Sequence, residues 1–201
     1  MKKKKLSTKQ LVEMALLIAI ILLMAFTPIG YIRTPGLEIT LIIIPVAIGA
    51  VTLGPTAGAI LGAVFGLTSF IQCFGMSVFG TALLQINPLA TFVVTVVTRT
   101  LVGWLTGLIY LAFVNLKVNR AVSVIISSLA CPLLNTSLFM SALVLFFYNS
   151  DYIQGFADMM GTANVFAFIF AFVGVNGLIE AIVCCIVGSA VIRALQITLK
   201  N

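Results

Sequence analysis

The chain has no histidine, and only 8% of its 201 residues are charged. Without histidine, the commonest ligand of zinc and haem iron is missing, and so is the base of a Ser-His-Asp triad. Four cysteines, Cys73, Cys131, Cys184 and Cys185, show no C-x-x-C spacing. The last three fall inside long apolar runs, where a free thiol behaves as a small hydrophobe. No G-x-x-x-x-G-K-[ST], H-E-x-x-H or G-x-S-x-G occurs, and no apolar run carries two carboxylates. This excludes nucleotide hydrolysis on a P-loop and leaves no nucleophile–base pairing on which to build an intramembrane enzyme. Soluble domains carry roughly a quarter charged residues, so no room remains for a catalytic domain in water. The expected protein is not an enzyme and needs no cofactor of its own.

What the chain has instead is apolar length: 62% of residues are hydrophobic and the mean hydropathy is +1.25. Glycine, proline and charge divide the apolar residues into six candidate spans, Leu11–Ile29, Leu37–Leu53, Pro55–Gln72, Pro88–Val114, Arg120–Tyr148 and Asn164–Leu195. Each approaches or exceeds the ~20 residues that cross a hydrocarbon core, except the second and third. Those two meet at Gly54-Pro55, which reads as the turn of a short helical hairpin. Long runs without strict alternation argue for helices over barrel strands. The expected fold is an all-α integral membrane protein, a single six-transmembrane-helix bundle over residues 1–201 with a basic tail over 1–10.

Charge sets the orientation. Lys2, Lys3, Lys4, Lys5 and Lys9 precede the first span, Lys117 and Arg120 separate the fourth from the fifth, and Arg193 and Lys200 close the chain. With six spans these three places share one side, which the positive-inside rule makes cytoplasmic, so both termini are expected there. Arg33 is the one basic residue in an outer loop, where Glu38, Asp151 and Asp158 also fall. The formal charge of +6 is thus a topology signal that also suits anionic lipid headgroups, not a nucleic-acid surface. A basic start before an apolar stretch can also mark a cleaved signal peptide. Here no small-x-small site follows, and losing the first span would break the even topology.

Small residues recur at helical spacing: Ala15 and Ala19 in the first span, Gly58, Gly62 and Gly66 in the third, Gly103 and Gly107 in the fourth. Such steps let helix backbones approach closely, and in lipid it is packing that drives association. The glycines are expected to be contacts inside the bundle. The alanine pair, by spacing alone, suits an internal contact and a docking face equally.

Arg99, Asn135 and Glu180 lie near the centres of the fourth, fifth and sixth spans. Charge at that depth costs roughly 2.5–3.5 kcal/mol on insertion scales, so these residues are expected to face the interior. One reading has Arg99 paired with Glu180 and Asn135 completing the hydrogen bonding, tying three helices together. The other makes them the floor of a substrate pocket opening outward. Asn176 lies one turn outward of Glu180 on the same helix face, while Gln72, Gln85 and Asn87 flank the segment Cys73–Asn87. That segment is uncharged and rich in Phe and Gly, which suits a lid or re-entrant element better than a solvated loop. The 15 phenylalanines suggest no ligand cage, and Val165–Phe172 reads as lipid-facing or core.

Along nearly its whole length the chain resembles the substrate-binding S-components of energy-coupling factor (ECF) vitamin transporters. The carrying segments are the lysine-rich start with Ala15-x-x-x-Ala19, Thr27-Pro-Ile-Gly-Tyr, and Ile44-Pro-Val-Ala-Ile-Gly-Ala-Val-Thr-Leu-Gly-Pro55 running into Gly58–Ser69. Arg99-Thr-Leu-Val-Gly103, Asn135-Thr136 and Asn176-Gly-Leu-Ile-Glu180 complete them. The resemblance implies a six-helix bundle in a bacterial plasma membrane that binds a vitamin near the outer face. It implies docking, through Ala15 and Ala19, onto a membrane coupling subunit that carries two cytoplasmic ATPases, so ATP is used by partners. It also implies a ligand site on helices four to six, with Arg99, Asn135, Asn176, Glu180, Gln72 and Asn87 as candidates. The Thr-Pro-Ile-Gly-Tyr and Ile-Pro-Val-Ala patterns look most like the pantothenate-type branch. An arginine with amide partners suits such an anionic, hydroxylated ligand, with riboflavin, folate or another vitamin as alternatives. Rival readings are a self-sufficient carrier, which the lack of an internal repeat disfavours, and a structural or regulatory membrane subunit that binds no ligand.

Overall fold

A computed structural model describes residues 7–27, 30–33, 38–162 and 164–198, with the side chains of 31–33, 38–39, 175–176 and 195–198 outside that description. Helix α1 (Thr8–Ala25) opens on a reciprocal cap: the Ser7 hydroxyl accepts from the Gln10 N–H, and the Gln10 carbonyl oxygen accepts from the Ser7 N–H. Such a box satisfies two of the donors that every helix start leaves open. Leu17, Ile21 and Ala25, four residues apart, form its buried stripe. Ala15 and Ala19 lie exposed on other faces with Val12, Leu16 and Leu23.

The chain then departs from the expected second span over Leu37–Leu53. Strands β1 (Tyr31–Arg33) and β2 (Glu38–Thr40) pair antiparallel, with Tyr31 opposite Thr40 and Arg33 opposite Glu38. Only Ile43–Thr52 is helical (α2). Ten residues rise about 15 Å, half the ~30 Å hydrocarbon core. The reason for the difference lies in the β-branched Ile39-Thr40, which suits a strand. Being short, α2 sits inside the bundle: Val46, Ala47 and Ala50 have no exposed surface. Gly54, at φ +96°, makes the turn into α3 (Pro55–Gln72), and Pro55 fills the first helical position.

Segment Cys73–Asn87 contains a helix, α4 (Val78–Ile86), capped by the Ser77 hydroxyl. Next, α5 (Pro88–Phe92) passes through a π-helical turn (Val93–Val97) into α6 (Thr98–Asn115) as one continuous rod. Helix α7 (Arg120–Phe147) carries Pro132 in its interior. A nine-residue helix, α8 (Asp151–Met159), precedes α9 (Val165–Val183). That helix runs on through a second π-helical turn (Cys184–Gly188) into α10 (Ser189–Thr198). Among the described residues, five helical segments are long and apolar enough to cross a membrane: Thr8–Ala25, Pro55–Gln72, Pro88–Asn115, Arg120–Phe147 and Gly177–Ala194. The molecule is a helical membrane bundle.

Two apolar cores result. The first is mainly aliphatic, built on Ile21, Ile43, Val46, Leu61, Phe65 and Val102 from α1, α2, α3 and α6. In it α3 and α6 touch backbone to backbone. A Cβ on Gly58 would strike the carbonyl of Gly103, one on Gly62 the carbonyl of Arg99, and one on Gly107 would lie 2.6 Å from the Cα of Pro55. The second core is ring-rich and gathers Leu83, Met140, Phe147, Ile153, Phe168 and Phe172 from α4, α7, α8 and α9.

Candidate functional site

Arg99 stands where these two cores meet. Its guanidinium lies 4.6 Å from the ring centre of Phe65 in the aliphatic core, and 5.7 Å from that of Phe139, which packs against the ring-rich one. Both distances fall within cation–π range. The π-helical turn just before it shapes the site. A widened turn disturbs the regular i→i−4 bonding, and here side chains supply donors to its carbonyls. Thr98 Oγ1 donates to the Val94 carbonyl at 2.5 Å, and Arg99 Nη1 donates to the Thr95 carbonyl at 3.1 Å. Thr95 Oγ1 donates to Thr91, whose own hydroxyl donates to Asn87. Gly62 holds the backbone beneath Arg99 against α3, so the guanidinium projects from a fixed base.

Asn135 lies one turn before Phe139 on α7, hence on the face that meets Arg99. A Cβ on Gly177 would be 3.5 Å from the Thr136 hydroxyl, and one on Gly188 would be 3.6 Å from that of Ser128. Helices α7 and α9 therefore run antiparallel, in a register that sets Asn135 within about one helical turn of Glu180. Both side chains are buried, at 9% and 7% exposure. Glu180 Oε1 accepts from the Thr40 N–H at 2.6 Å, and the charge of Arg99 acts on the same carboxylate. Arg99, Asn135 and Glu180 are thus gathered in one region of the bundle.

The other candidates have other surroundings. Gln72 Nε2 donates to the Ala25 carbonyl at 2.5 Å, tying the end of α3 to the end of α1. Asn87 is exposed, and its Oδ1 caps α5 by accepting from the Ala90 N–H at 3.1 Å. The backbone of Asn176 lies in α9 one turn before Glu180, while its side chain is outside the described residues, as is that of Arg33.

Sequence reasoning missed the ring cluster. Phe79 of α4 lies 6.0 Å from Tyr152, 6.3 Å from Phe156 and 5.9 Å from Phe172, centre to centre. Phe156 meets Phe172 edge-on at 5.6 Å, and Phe168 stacks on Phe172 at 5.0 Å. Burial among these rings pushes the pKa of the Tyr152 hydroxyl up. The signal was present in Tyr148, Tyr152 and Phe156 and in Phe168 and Phe172, all at four-residue spacing. Phe166 and Phe170, two residues out of phase, are more than 80% exposed.

Long apolar helices around an arginine, a carboxylate and an amide, with two short helices closing one end through their rings, define a multi-pass membrane protein with a buried polar centre. The chain belongs to the family described as "ECF transporter, substrate-specific component", whose model matches residues 9–192. Members of this family are transporter components, not enzymes, and work with a module of coupling subunit and ATPases. No curated protein matches the chain individually.

Proposed function

We propose that the chain captures a water-soluble vitamin at the outer face of a bacterial plasma membrane and hands it inward through a membrane coupling subunit powered by two partner ATPases. Pantothenate is the ligand that suits it best. The observation that carries this reading is Arg99, fixed on a rigid base between Phe65 and Phe139, with the Asn135 amide on the facing helix. A guanidinium binds a carboxylate, and amides suit hydroxyl and amide groups of the ligand. Asn176 joins them as the third proposed contact. Gln72 and Asn87 belong to the frame of the site, through their bonds to Ala25 and Ala90.

In this proposal the chain crosses six times, with α2 as a short second crossing, the α5–α6 rod as the fourth and the α9–α10 rod as the sixth. Both termini are cytoplasmic. The lysine-rich start, Lys117, Arg120 and Arg193 then share the inner side, and α8 with Asp151 and Asp158 lies outside. The exposed Ala15 and Ala19 form the docking face for the coupling subunit.

A specific observation favours a second ligand class. The cluster of Phe79, Tyr152, Phe156 and Phe172 suits stacking on a flat ring, which pantothenate lacks and riboflavin or folate has. One titration separates the two readings: purified chain against a panel of pantothenate, riboflavin and folate. Tight binding of pantothenate alone supports the first, binding of a ring-bearing vitamin supports the second, and binding of none leaves the structural-subunit rival.

A further inference from the structure

Neighbouring N–H groups along a strand point to opposite edges. Just past β2, the Leu41 N–H returns to the Gly30 carbonyl at 3.0 Å, on the β1 side. The Thr40 N–H is thereby turned to the other edge, away from its strand partner. Thr40 is 7% exposed, and a buried strand edge with an unmet donor is unfavourable. Glu180 meets it: Oε1 lies 2.6 Å from the Thr40 nitrogen and accepts its hydrogen bond. The bond joins residues 140 apart in sequence, linking the segment between α1 and α2 to the middle of α9.

We infer that Glu180 is a positioning residue for the β-hairpin and not a ligand contact: its carboxylate clamps Thr40 and so locks the hairpin to the helix that carries Asn176. The clamp leaves Arg99, Asn135 and Asn176 as the groups that meet the ligand, and so deepens the proposed function and rests on it for its purpose. The bond itself stands without that reading. The α7–α9 register sets Glu180 within about one helical turn of Asn135, so the clamp is anchored beside the polar centre.

The test is hydrogen exchange by mass spectrometry on the full chain in lipid nanodiscs, comparing wild type with Glu180→Gln and Glu180→Leu. Glutamine keeps an acceptor oxygen for Thr40; leucine has none, and exchange in α3 and α6 reports whether the bundle itself is retained. The clamp predicts that Glu180→Leu speeds exchange in peptides covering residues 30–41 by about tenfold or more, with α3 and α6 unchanged, and that Glu180→Gln stays within about threefold of wild type. Unchanged hairpin exchange in Glu180→Leu, or a glutamine variant as loose as the leucine one, overturns the clamp. Radiolabelled pantothenate then serves as probe on the same preparations. Retained affinity in Glu180→Gln supports positioning, whereas lost affinity with an intact hairpin makes Glu180 a direct contact and overturns the assignment. If wild type itself ignores pantothenate, the substrate reading fails while the exchange data still decide the clamp.

Discussion

The two cores of this bundle are closed by opposite means. Between α3 and α6 the closest approach is made by glycines: Gly58, Gly62 and Gly107 bring backbone against backbone, and a single added methyl there has nowhere to go. Between α4, α8 and α9 the contacts are ring against ring, mostly tilted or edge-on at 5–6 Å. These contacts come from side chains on two nine-residue helices and on α9. The glycine seam suits a frame whose geometry must not drift, because Arg99 is built on it. The ring cluster joins α4, α8 and α9 through side chains alone, so its contacts do not constrain that frame. The polar centre lies at the junction, touched by Phe65 from one side and Phe139 from the other.

Breaking the seam is expected to have the largest effect. Gly62→Leu drives a side chain into the Arg99 carbonyl, and overpacking of this kind typically costs about 1–3 kcal/mol even where side chains can yield. Here backbone must move, so the variant should fail to give a monodisperse peak on size-exclusion chromatography. A folded Gly62→Leu with wild-type melting temperature would remove the rigid frame from the account.

Arg99→Leu comes next and separates binding from folding. Loss of a charge-assisted bond is worth about 1.5–3 kcal/mol, so pantothenate affinity should fall roughly 10- to 100-fold by titration while the variant still folds, its melting temperature lowered by the lost Thr95 bond. Equal affinity in the two proteins would move the ligand away from the junction. In the ring cluster, Phe156→Leu keeps apolar volume but removes its contacts with Phe79 and Phe172. Aromatic pairs add about 0.5–1.5 kcal/mol beyond burial, so melting should drop by only a few degrees. A collapse as severe as that of Gly62→Leu would erase the distinction between frame and ring cluster.

The smallest effect on the isolated chain belongs to α1. Ala15→Leu and Ala19→Leu change exposed positions and should leave melting and ligand affinity within error. Co-purification with the coupling subunit should be lost. Weakened ligand binding with intact assembly would contradict docking through this face.

This comparison also separates what the sequence makes legible from what it hides. The α2–α3 turn is readable in Gly54-Pro55, and the close seam in glycines four residues apart, because both depend on the absence of a side chain and need no partner to be recognised. The polar centre is readable because charge within an apolar run has few places to go. The hairpin was hidden: Leu37–Leu53 is mostly apolar apart from Glu38 at its start, and hydropathy does not tell a buried strand from a helix start. The π-helical turns at Val93–Val97 and Cys184–Gly188 leave no composition signal either. The hydrogen bonds of Gln72 and Glu180 were obscured for another reason. Their partners, the Ala25 carbonyl and the Thr40 N–H, are backbone groups that every residue carries, so nothing in the side-chain pattern marks them.

The central claim is that a vitamin binds at the junction on Arg99. Native mass spectrometry of the detergent-purified chain, expressed in rich medium as wild type and as Arg99→Leu, tests it most directly. The account predicts a stoichiometric adduct with the mass of pantothenate on the wild type and none on the variant. A bare wild-type chain that also binds nothing from a vitamin panel, or an adduct that survives in Arg99→Leu, would contradict it.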